Sequence, residues 1–479
     1  MMGRKNRQAR HRLLNSKILL LFSILGPGII AANADNDAGG IYQYSLAGAQ
    51  YGYSLLWVLL LITISLGVCQ EMGARMGAVT GKGLADLIRE EYGVKITFFA
   101  MATLLVANYA TTVSEFAGIS AAVEIFAPAW CANLAHHFIQ PIFHTTPRIL
   151  LNPDWAKGIV RTVAVVMSAL MVWLLVTRGT YKRVERILLA ASLVYLAYIV
   201  SAVMAQPPWA EVLHQTIAPD GHGIKIDKDY VFMIIGLIGT TITPWGQFYI
   251  QSTIRDKGVK AEDYAYIRAD VLFGAFFTNF IAYFIIVCCG ATLFVGGKTD
   301  FADAGQIALA LKPFAGQLAV GLFAIGLFNA SCFGAITVPL STAYAVTEAL
   351  GSESGVGRRA TQAPMFVGVF AFQIILSALT VLCLGSGSLS KLIILPNIIG
   401  GVLLPIILIL SLKLINNKRL MGEFTNSRFG NVIAISTTVL VIVLSGILFV
   451  QTVKAQLFPE LKKTTEIHAV MKVKQLAVN

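Results

Sequence analysis

Carboxylate and carboxamide side chains are concentrated in residues 33–40, which read Asn-Ala-Asp-Asn-Asp-Ala-Gly-Gly. The flanking residues are apolar enough to form one membrane helix over about 18–46. A carboxylate at bilayer depth costs at least ~2.5–3.5 kcal/mol, so it normally faces a cavity and a partner. The glycine pair lets the helix unwind and free backbone carbonyls, which is tolerated where they line a site. Asp37 in a broken helix therefore predicts a cation-binding site.

The composition is that of a multi-pass membrane protein. Of the 479 residues, 56% are hydrophobic and 13% are charged, and the mean hydropathy is +0.71. The net charge of +12 is spread over short loops rather than gathered on one face, so we expect a lipid bilayer around the chain and no nucleic-acid partner. The chain has no HExxH or GxSxG motif, so we expect neither an enzyme nor a bound cofactor. The oligomeric state stays open, a monomer included.

Eleven hydrophobic runs can span a bilayer, at about 18–46, 54–77, 94–128, 159–177, 187–205, 230–253, 266–296, 314–349, 364–384, 390–414 and 431–452. Lysine and arginine are denser in the N-terminal tail and in the loops after even-numbered runs, which predicts a cytoplasmic N-terminus. We expect the plasma membrane, as a prokaryotic inner membrane. The predicted organisation is a cytoplasmic basic tail (1–17), one transmembrane domain (18–452) and a C-terminal tail (453–479).

The sixth run contains a second interruption. Its first part ends in Thr240-Thr241-Ile242-Thr243, and Pro244 then removes a backbone hydrogen-bond donor. Runs one and six are five spans apart, so the two halves of the chain have opposite orientations in the membrane. This pattern predicts an inverted repeat with its site at the midplane between the two breaks. Repeat one covers about 18–205, repeat two covers about 230–414, and 431–452 is an extra helix.

Several motifs in the first two runs resemble the natural-resistance-associated macrophage protein (NRAMP) metal transporters. They are residues 26–28 (Gly-Pro-Gly), 37–40 (Asp-Ala-Gly-Gly), 47–53 (Ala-Gly-Ala-Gln-Tyr-Gly-Tyr) and 74–82. The resemblance is dense over 24–90 and sparser through about the tenth run. It implies an all-α membrane protein with a five-plus-five inverted repeat (LeuT-type fold), with helices one and six broken. It also implies transport of divalent cations, usually with protons.

The chain departs from the family at the positions that bind the metal. The family's first motif is Asp-Pro-Gly-Asn, so the resemblance keeps Asp37 as a ligand but puts Gly40 where an asparagine ligand belongs. In the sixth run, Thr240 takes the position of an alanine whose carbonyl binds the ion, and Thr243 replaces a methionine. Asn397 aligns with a metal-facing glutamine of the tenth run. This pattern resembles the prokaryotic NRAMP-related magnesium transporters, which are taken to import Mg²⁺ and Mn²⁺ without proton coupling.

The residue chemistry favours a hard divalent ion. Carboxylate, hydroxyl, amide and carbonyl oxygens suit Mg²⁺ and Mn²⁺, and soft sulfur donors are absent from this set. Mg²⁺ loses water reluctantly, and small residues in place of asparagine and methionine are expected to enlarge the cavity for retained waters. All seven histidines lie in tails or loops outside the predicted spans, with Trp245 at the family's histidine position. We therefore expect transport of a partly hydrated ion by uniport.

Several of these polar residues have two possible roles. Asp37 can be a ligand or a cap of the broken helix, and Thr243 can be a ligand or can bond back to its own helix. Asp35, Trp245, Gln247 and Glu115 are candidates for a second layer around the ion or for a gate. Two alternative functions stay open, namely a proton-coupled Mn²⁺/Fe²⁺ transporter of the general NRAMP type and an amino-acid symporter on the same scaffold.

Overall fold

The computed structural model describes residues 26–126, 153–219, 228–299, 301, 304–384, 400 and 403–457. The regular structure in these segments is helical throughout. The helices are α1 (Pro27–Ala34), α2 (Ala38–Tyr51), α3 (Leu56–Thr80), α4 (Leu84–Glu124), α5 (Pro153–Arg178), α6 (Tyr181–Ser192), α7 (Leu196–Met204), α8 (Trp209–Ile217), α9 (Lys228–Thr241), α10 (Pro244–Lys257), α11 (Tyr264–Cys289), α12 (Ala304–Ala310), α13 (Lys312–Ala349), α14 (Pro364–Leu384), α15 (Leu403–Ile415), α16 (Lys418–Met421) and α17 (Arg428–Leu457).

The predicted spans match this helix order. Within the described segments, nine helical stretches are long and apolar enough to cross a membrane. The α1–α2 pair corresponds to the first predicted span, and α15 to the end of the tenth. The all-α membrane fold is therefore confirmed. The two predicted tails fall almost wholly outside the described residues, and their boundaries stay predictions.

Both predicted helix breaks are present. α1 ends at Ala34 and α2 begins at Ala38, while α9 ends at Thr241 and α10 begins at Pro244. In each case the residue before the second half-helix caps it. Asp37 Oδ1 accepts a 2.7 Å hydrogen bond from the Gly40 N–H, and Thr243 Oγ1 accepts one of 3.2 Å from the Gly246 N–H. These caps satisfy backbone donors that an interrupted helix leaves unpaired.

Two glycine kinks also occur at matching positions of the two predicted repeats. α4 bends at Gly93 (φ 79°, ψ 175°), and α13 bends at Gly316 (φ 79°, ψ 176°). Other residues rarely adopt this backbone conformation, whereas glycine does so without a steric penalty. α4 and α13 supply the third and eighth spans, again five apart, and they pack against each other. This matched pair of kinks agrees with the inverted repeat.

The short helix α1 is anchored at both ends by side chains from distant parts of the chain. The Asp270 carboxylate on α11 accepts hydrogen bonds from backbone N–H groups at its start, the shorter being 2.7 Å from Gly28. The Tyr195 hydroxyl lies within hydrogen-bonding distance of the Asn33 and Asn36 carbonyls, at 3.2 and 3.1 Å. A helix of eight residues leaves most of its terminal backbone groups unpaired, so these contacts fix where the break lies.

Candidate metal-binding site

The two helix breaks meet at the centre of the fold. The Thr243 hydroxyl in the second break donates a 2.8 Å hydrogen bond to Asp35 Oδ1 in the first. A Cβ atom placed on Gly40 would lie 3.4 Å from Thr240 Oγ1. Because the interrupted helices bring polar side chains and helix ends together here, their junction is the place where the fold can hold an ion.

A small cavity lies at this junction. Its interior leaves about 30 Å³ for the centres of water-sized molecules, which is room for about two of them at roughly 10–15 Å³ each. Residues from both breaks, from α4 and from the tenth predicted span line it, namely Asp37, Gly39, Ala107, Asn108, Thr111, Ser114, Gly239, Thr240, Thr243, Pro244, Trp245 and Gly400. Among these residues no methionine, cysteine or histidine occurs.

Asp37 caps the second half-helix and also borders the cavity, so its role as a cap is compatible with the predicted role as a ligand. It caps α2 through Oδ1, and it also lines the cavity with 6% of its surface exposed. An ionised carboxylate has about four acceptor positions, so one bond to a backbone N–H leaves capacity for an ion. Glu115 of α4 lies beside it, fully buried, with Oε2 accepting a 3.2 Å hydrogen bond from the Ala38 N–H.

Thr243 is held by two hydrogen bonds and still faces the cavity. Its oxygen accepts a hydrogen bond from the Gly246 N–H, and its hydroxyl group donates one to Asp35. Asp35 is buried behind it, and the second carboxylate oxygen accepts a 3.0 Å hydrogen bond from Gln70 Nε2 on α3. The neighbouring Thr241 instead bonds back to the Leu237 carbonyl of its own helix. The Thr243 oxygen therefore keeps one lone pair that can bind an ion, and the two hydrogen bonds fix its orientation.

Gly40 lies where the backbone is crowded. The sequence analysis expected this glycine to enlarge the cavity, but Gly40 is not among the residues that line it. A Cβ atom there would lie 2.7 Å from the Asp35 carbonyl oxygen, well inside normal contact. The backbone of the first break thus occupies the space that an asparagine side chain would need. Gly39, one residue earlier, lines the cavity in its place, because successive helical residues point about 100° apart.

The remaining candidate residues divide into three groups. Thr240 and Trp245 line the cavity. Gln247 is absent from its lining and lies next to Gly73 of α3. It follows Trp245 by two positions, so it faces the opposite side of α10. Asn397 falls outside the described residues, so its predicted role stays a prediction.

Asn108, Thr111 and Ser114 on α4 line the cavity although the sequence interpretation did not single them out. Asn108 Nδ2 donates a 2.8 Å hydrogen bond to Thr342 on α13, which fixes the amide. With Glu115, these polar residues recur at intervals of mostly three or four residues within a span that is largely apolar. That periodicity indicates a polar face on a membrane helix and was the available signal.

The arrangement provides a partial coordination sphere. Within the described segments, no group of three or more histidine, cysteine, aspartate or glutamate side chains is arranged to hold a metal ion. A cation at this junction would therefore combine a carboxylate with hydroxyl, amide and carbonyl oxygens and with water. Incomplete, oxygen-rich coordination suits an ion that has to be released again.

The family model and the most similar relatives point to the same family. The family model described as "Natural resistance-associated macrophage protein-like" matches residues 28–145 and 154–451. The divalent metal cation transporter MntH of Erwinia tasmaniensis is 25% identical over 450 residues, covering 92% of this chain and 97% of the relative. The MntH protein of Yersinia enterocolitica is 25% identical over 460 residues, covering 92% and 100%.

Solved structures share the fold at lower identity. A manganese transporter from Eremococcus coleocola, in complex with an aromatic bis-isothiourea compound, has a TM-score of 0.71 at 19% identity, covering 91% of this chain and 88% of that one. The structure of MhsT in complex with L-phenylalanine has a TM-score of 0.56 at 13% identity, covering 88% and 97%. These similarities agree with the broken-helix, inverted-repeat architecture.

Proposed function

The chain belongs to the NRAMP family and is a divalent metal cation transporter of the MntH type, and we propose that it imports Mg²⁺ and Mn²⁺ as partly hydrated ions without proton coupling. In this proposal Asp37, Thr240 and Thr243 bind the ion, Asn397 contributes from the tenth span, and the backbone at Gly40 shapes the first break. Asp35 positions Thr243, and Trp245 forms the cavity wall.

The observation that carries the proposal is the chemistry of the cavity lining. The groups able to coordinate a cation there are carboxylate, hydroxyl, amide and carbonyl oxygens. Hard oxygen donors suit Mg²⁺ and Mn²⁺, whereas thioether and thiolate donors select softer ions. The family methionine position is Thr243, whose hydroxyl donates to a carboxylate and so carries extra negative charge on its oxygen.

The size of the cavity supports a partly hydrated ion. A cavity with space for about two water-sized particles is smaller than an ion with all six of its waters, which would need roughly three times that space at about 10–15 Å³ per particle. Mg²⁺ keeps several waters when it binds through one or two carboxylates. We therefore expect the ion to exchange some waters for Asp37 and the threonine oxygens while it occupies the cavity, and to regain them on release.

Uniport needs no proton gradient on energetic grounds. Two charges that enter at a membrane potential of 100 mV gain about 4.6 kcal/mol, at ~2.3 kcal/mol per charge. The family's histidine position next to the second break is Trp245, which cannot carry a proton. The membrane potential and the metal gradient are thus sufficient driving forces for uptake.

A competition measurement tests the ion selectivity. Mn²⁺ uptake into proteoliposomes is measured at increasing external Mg²⁺, with Ca²⁺ as the matched control ion. We expect Mg²⁺ at millimolar concentration to inhibit Mn²⁺ uptake and Mg²⁺ itself to accumulate. If millimolar Mg²⁺ leaves Mn²⁺ uptake unchanged, the magnesium assignment is wrong and a general Mn²⁺ transporter remains.

One observation favours a proton-coupled alternative. The carboxyl groups of Asp37 and Glu115 are buried neighbours, and two such groups can share or exchange a proton. Vesicles containing a pH-sensitive dye decide between the two mechanisms. Uniport predicts metal uptake without acidification, whereas acidification proportional to metal influx, lost in Glu115→Gln, would establish coupling through this pair.

A further inference from the structure

The lipid-facing side of α5 carries a groove remote from the ion site. Its apolar wall is formed by Met167, Leu170, Met171 and Leu174, which lie on one face of the helix at spacings of three and four residues. The first three are 59%, 48% and 47% exposed. The groove has a volume of about 430 Å³, within the range of roughly 300–1,000 Å³ that is typical of ligand sites.

The end of this groove is basic. Arg178, the last residue of α5, and Arg183, in the first turn of α6, both line it. Lys182 and Arg186 are exposed in the first two turns of α6. In the part of the chain that the structure describes, none of these four side chains forms an ion pair. The nearby Glu185 is engaged by Lys257 at 2.6 Å.

We propose that this groove binds an anionic phospholipid, with its phosphate between Arg178 and Arg183 and one acyl chain along Met167–Leu174. The two parts of the groove match the two parts of such a lipid in order and in position, because the apolar wall lies within the span and the arginines lie where the span ends. Basic pockets at the ends of membrane helices recognise anionic headgroups in this way. Arginine also binds phosphate oxygens bidentately.

Charge distinguishes an anionic lipid from a zwitterionic one. Each basic residue near an anionic lipid surface increases binding about fivefold. With two arginines at the groove, phosphatidylglycerol is expected to bind at least tenfold more tightly than phosphatidylcholine with the same acyl chains. A generic attraction to the surrounding basic loops would not depend on the apolar wall, whereas a lipid seated in the groove requires both parts.

The test is native mass spectrometry of the full chain in detergent, titrated with phosphatidylglycerol or phosphatidylcholine of equal chain length. Arg178→Gln/Arg183→Gln removes the headgroup contacts, and Leu170→Trp fills the apolar wall without changing charge. The matched control is Lys418→Gln/Arg428→Gln, which removes two exposed cations on α16 and α17, helices that pack chiefly against α3 and α9 and not against α5 or α6. Monodisperse elution and retained Mn²⁺ uptake establish that each variant is folded.

We expect the first pair of substitutions to reduce retention of phosphatidylglycerol at least tenfold and Leu170→Trp to reduce it at least threefold. The control pair is expected to change it less than twofold. Equal retention of the two lipids by the unmodified chain would overturn the proposal. So would an equal loss in the control pair, or full retention in Leu170→Trp, since either result would mean surface attraction without a groove.

Discussion

The hydrogen bond between Thr243 and Asp35 gives the sharpest test of how the ion site is built. Thr243→Val keeps the shape of the side chain and removes the hydroxyl, while Asp35→Asn removes the charge that accepts its proton. A hydrogen bond to a charged group contributes about 1.5–3 kcal/mol, which is roughly a 10- to 150-fold change in affinity. We expect each single substitution to raise the KM for Mn²⁺ by about 10- to 100-fold, as losses around metal ligands typically do.

The double variant Asp35→Asn/Thr243→Val distinguishes a direct interaction between the two side chains from two independent effects on the KM. If Asp35 acts by directing and polarising the Thr243 hydroxyl, the double variant is no worse than the more severe single variant. The coupling energy is then about 1.5–3 kcal/mol. Independent effects would multiply, to about 10²- to 10⁴-fold. The assay is initial Mn²⁺ uptake in proteoliposomes over a range of concentrations, with the Mg²⁺ inhibition constant measured in parallel.

Thr241→Val is the matched control, because Thr241 lies two residues away and bonds to Leu237 and Tyr44 instead. We expect it to combine additively with Asp35→Asn. Thr243→Ser keeps the hydroxyl and is expected to stay within about threefold of the unmodified chain, since the bond to Asp35 is retained. Multiplicative losses for Asp35→Asn with Thr243→Val would refute the positioning role of Asp35 but leave Asp37 as the ion ligand untouched.

Three further predictions follow from the same geometry. Asp37→Ala should reduce Mn²⁺ uptake at least 100-fold in vesicles, and retained uptake would contradict the assigned site. Gly40→Asn, which restores the family ligand, should impair folding rather than improve Mn²⁺ affinity, because its Cβ meets the Asp35 carbonyl at 2.7 Å; monodisperse protein with a lower KM would contradict this. Asp270→Ala should lower the melting temperature in detergent by several degrees, because it leaves the N–H groups at the start of α1 without their acceptor, with Gly28 the closest.

The helix breaks were predictable because they follow from local chemistry. Glycine, proline and a carboxylate inside an apolar run are each costly, and their coincidence in runs five spans apart restricts the fold strongly. The ion pair between Glu71 and Arg75, at 2.9 Å, follows from local chemistry in the same way, because residues four apart are neighbours on a helix surface. Four candidate residues from the two breaks line one cavity, namely Asp37, Thr240, Thr243 and Trp245; their roles in ion binding stay predictions.

Contacts between distant segments could not be predicted in the same way. The bond from Gln70 to Asp35 joins residues 35 positions apart, and the bond from Asn108 to Thr342 joins residues 234 apart. No local pattern specifies which polar residues of two packed helices meet. The crowding at Gly40 was unpredictable for a similar reason, since it depends on how the backbone of the first break turns.

The electrostatics of the two breaks explain why a shared fold does not determine the substrate. α2 and α10 direct their N-termini to the junction, and α1 and α9 direct their C-termini there. At about +0.5 and −0.5 elementary charge per helix end, these four contributions nearly cancel. The sign of the bound species therefore depends on side chains, and here Asp35 and Asp37 lie in the first break with Glu115 beside them. The structure of MhsT, which has a similar fold, is a complex with L-phenylalanine, so the fold alone does not determine the substrate. In the proposed function, the buried carboxylates favour a cation at the junction.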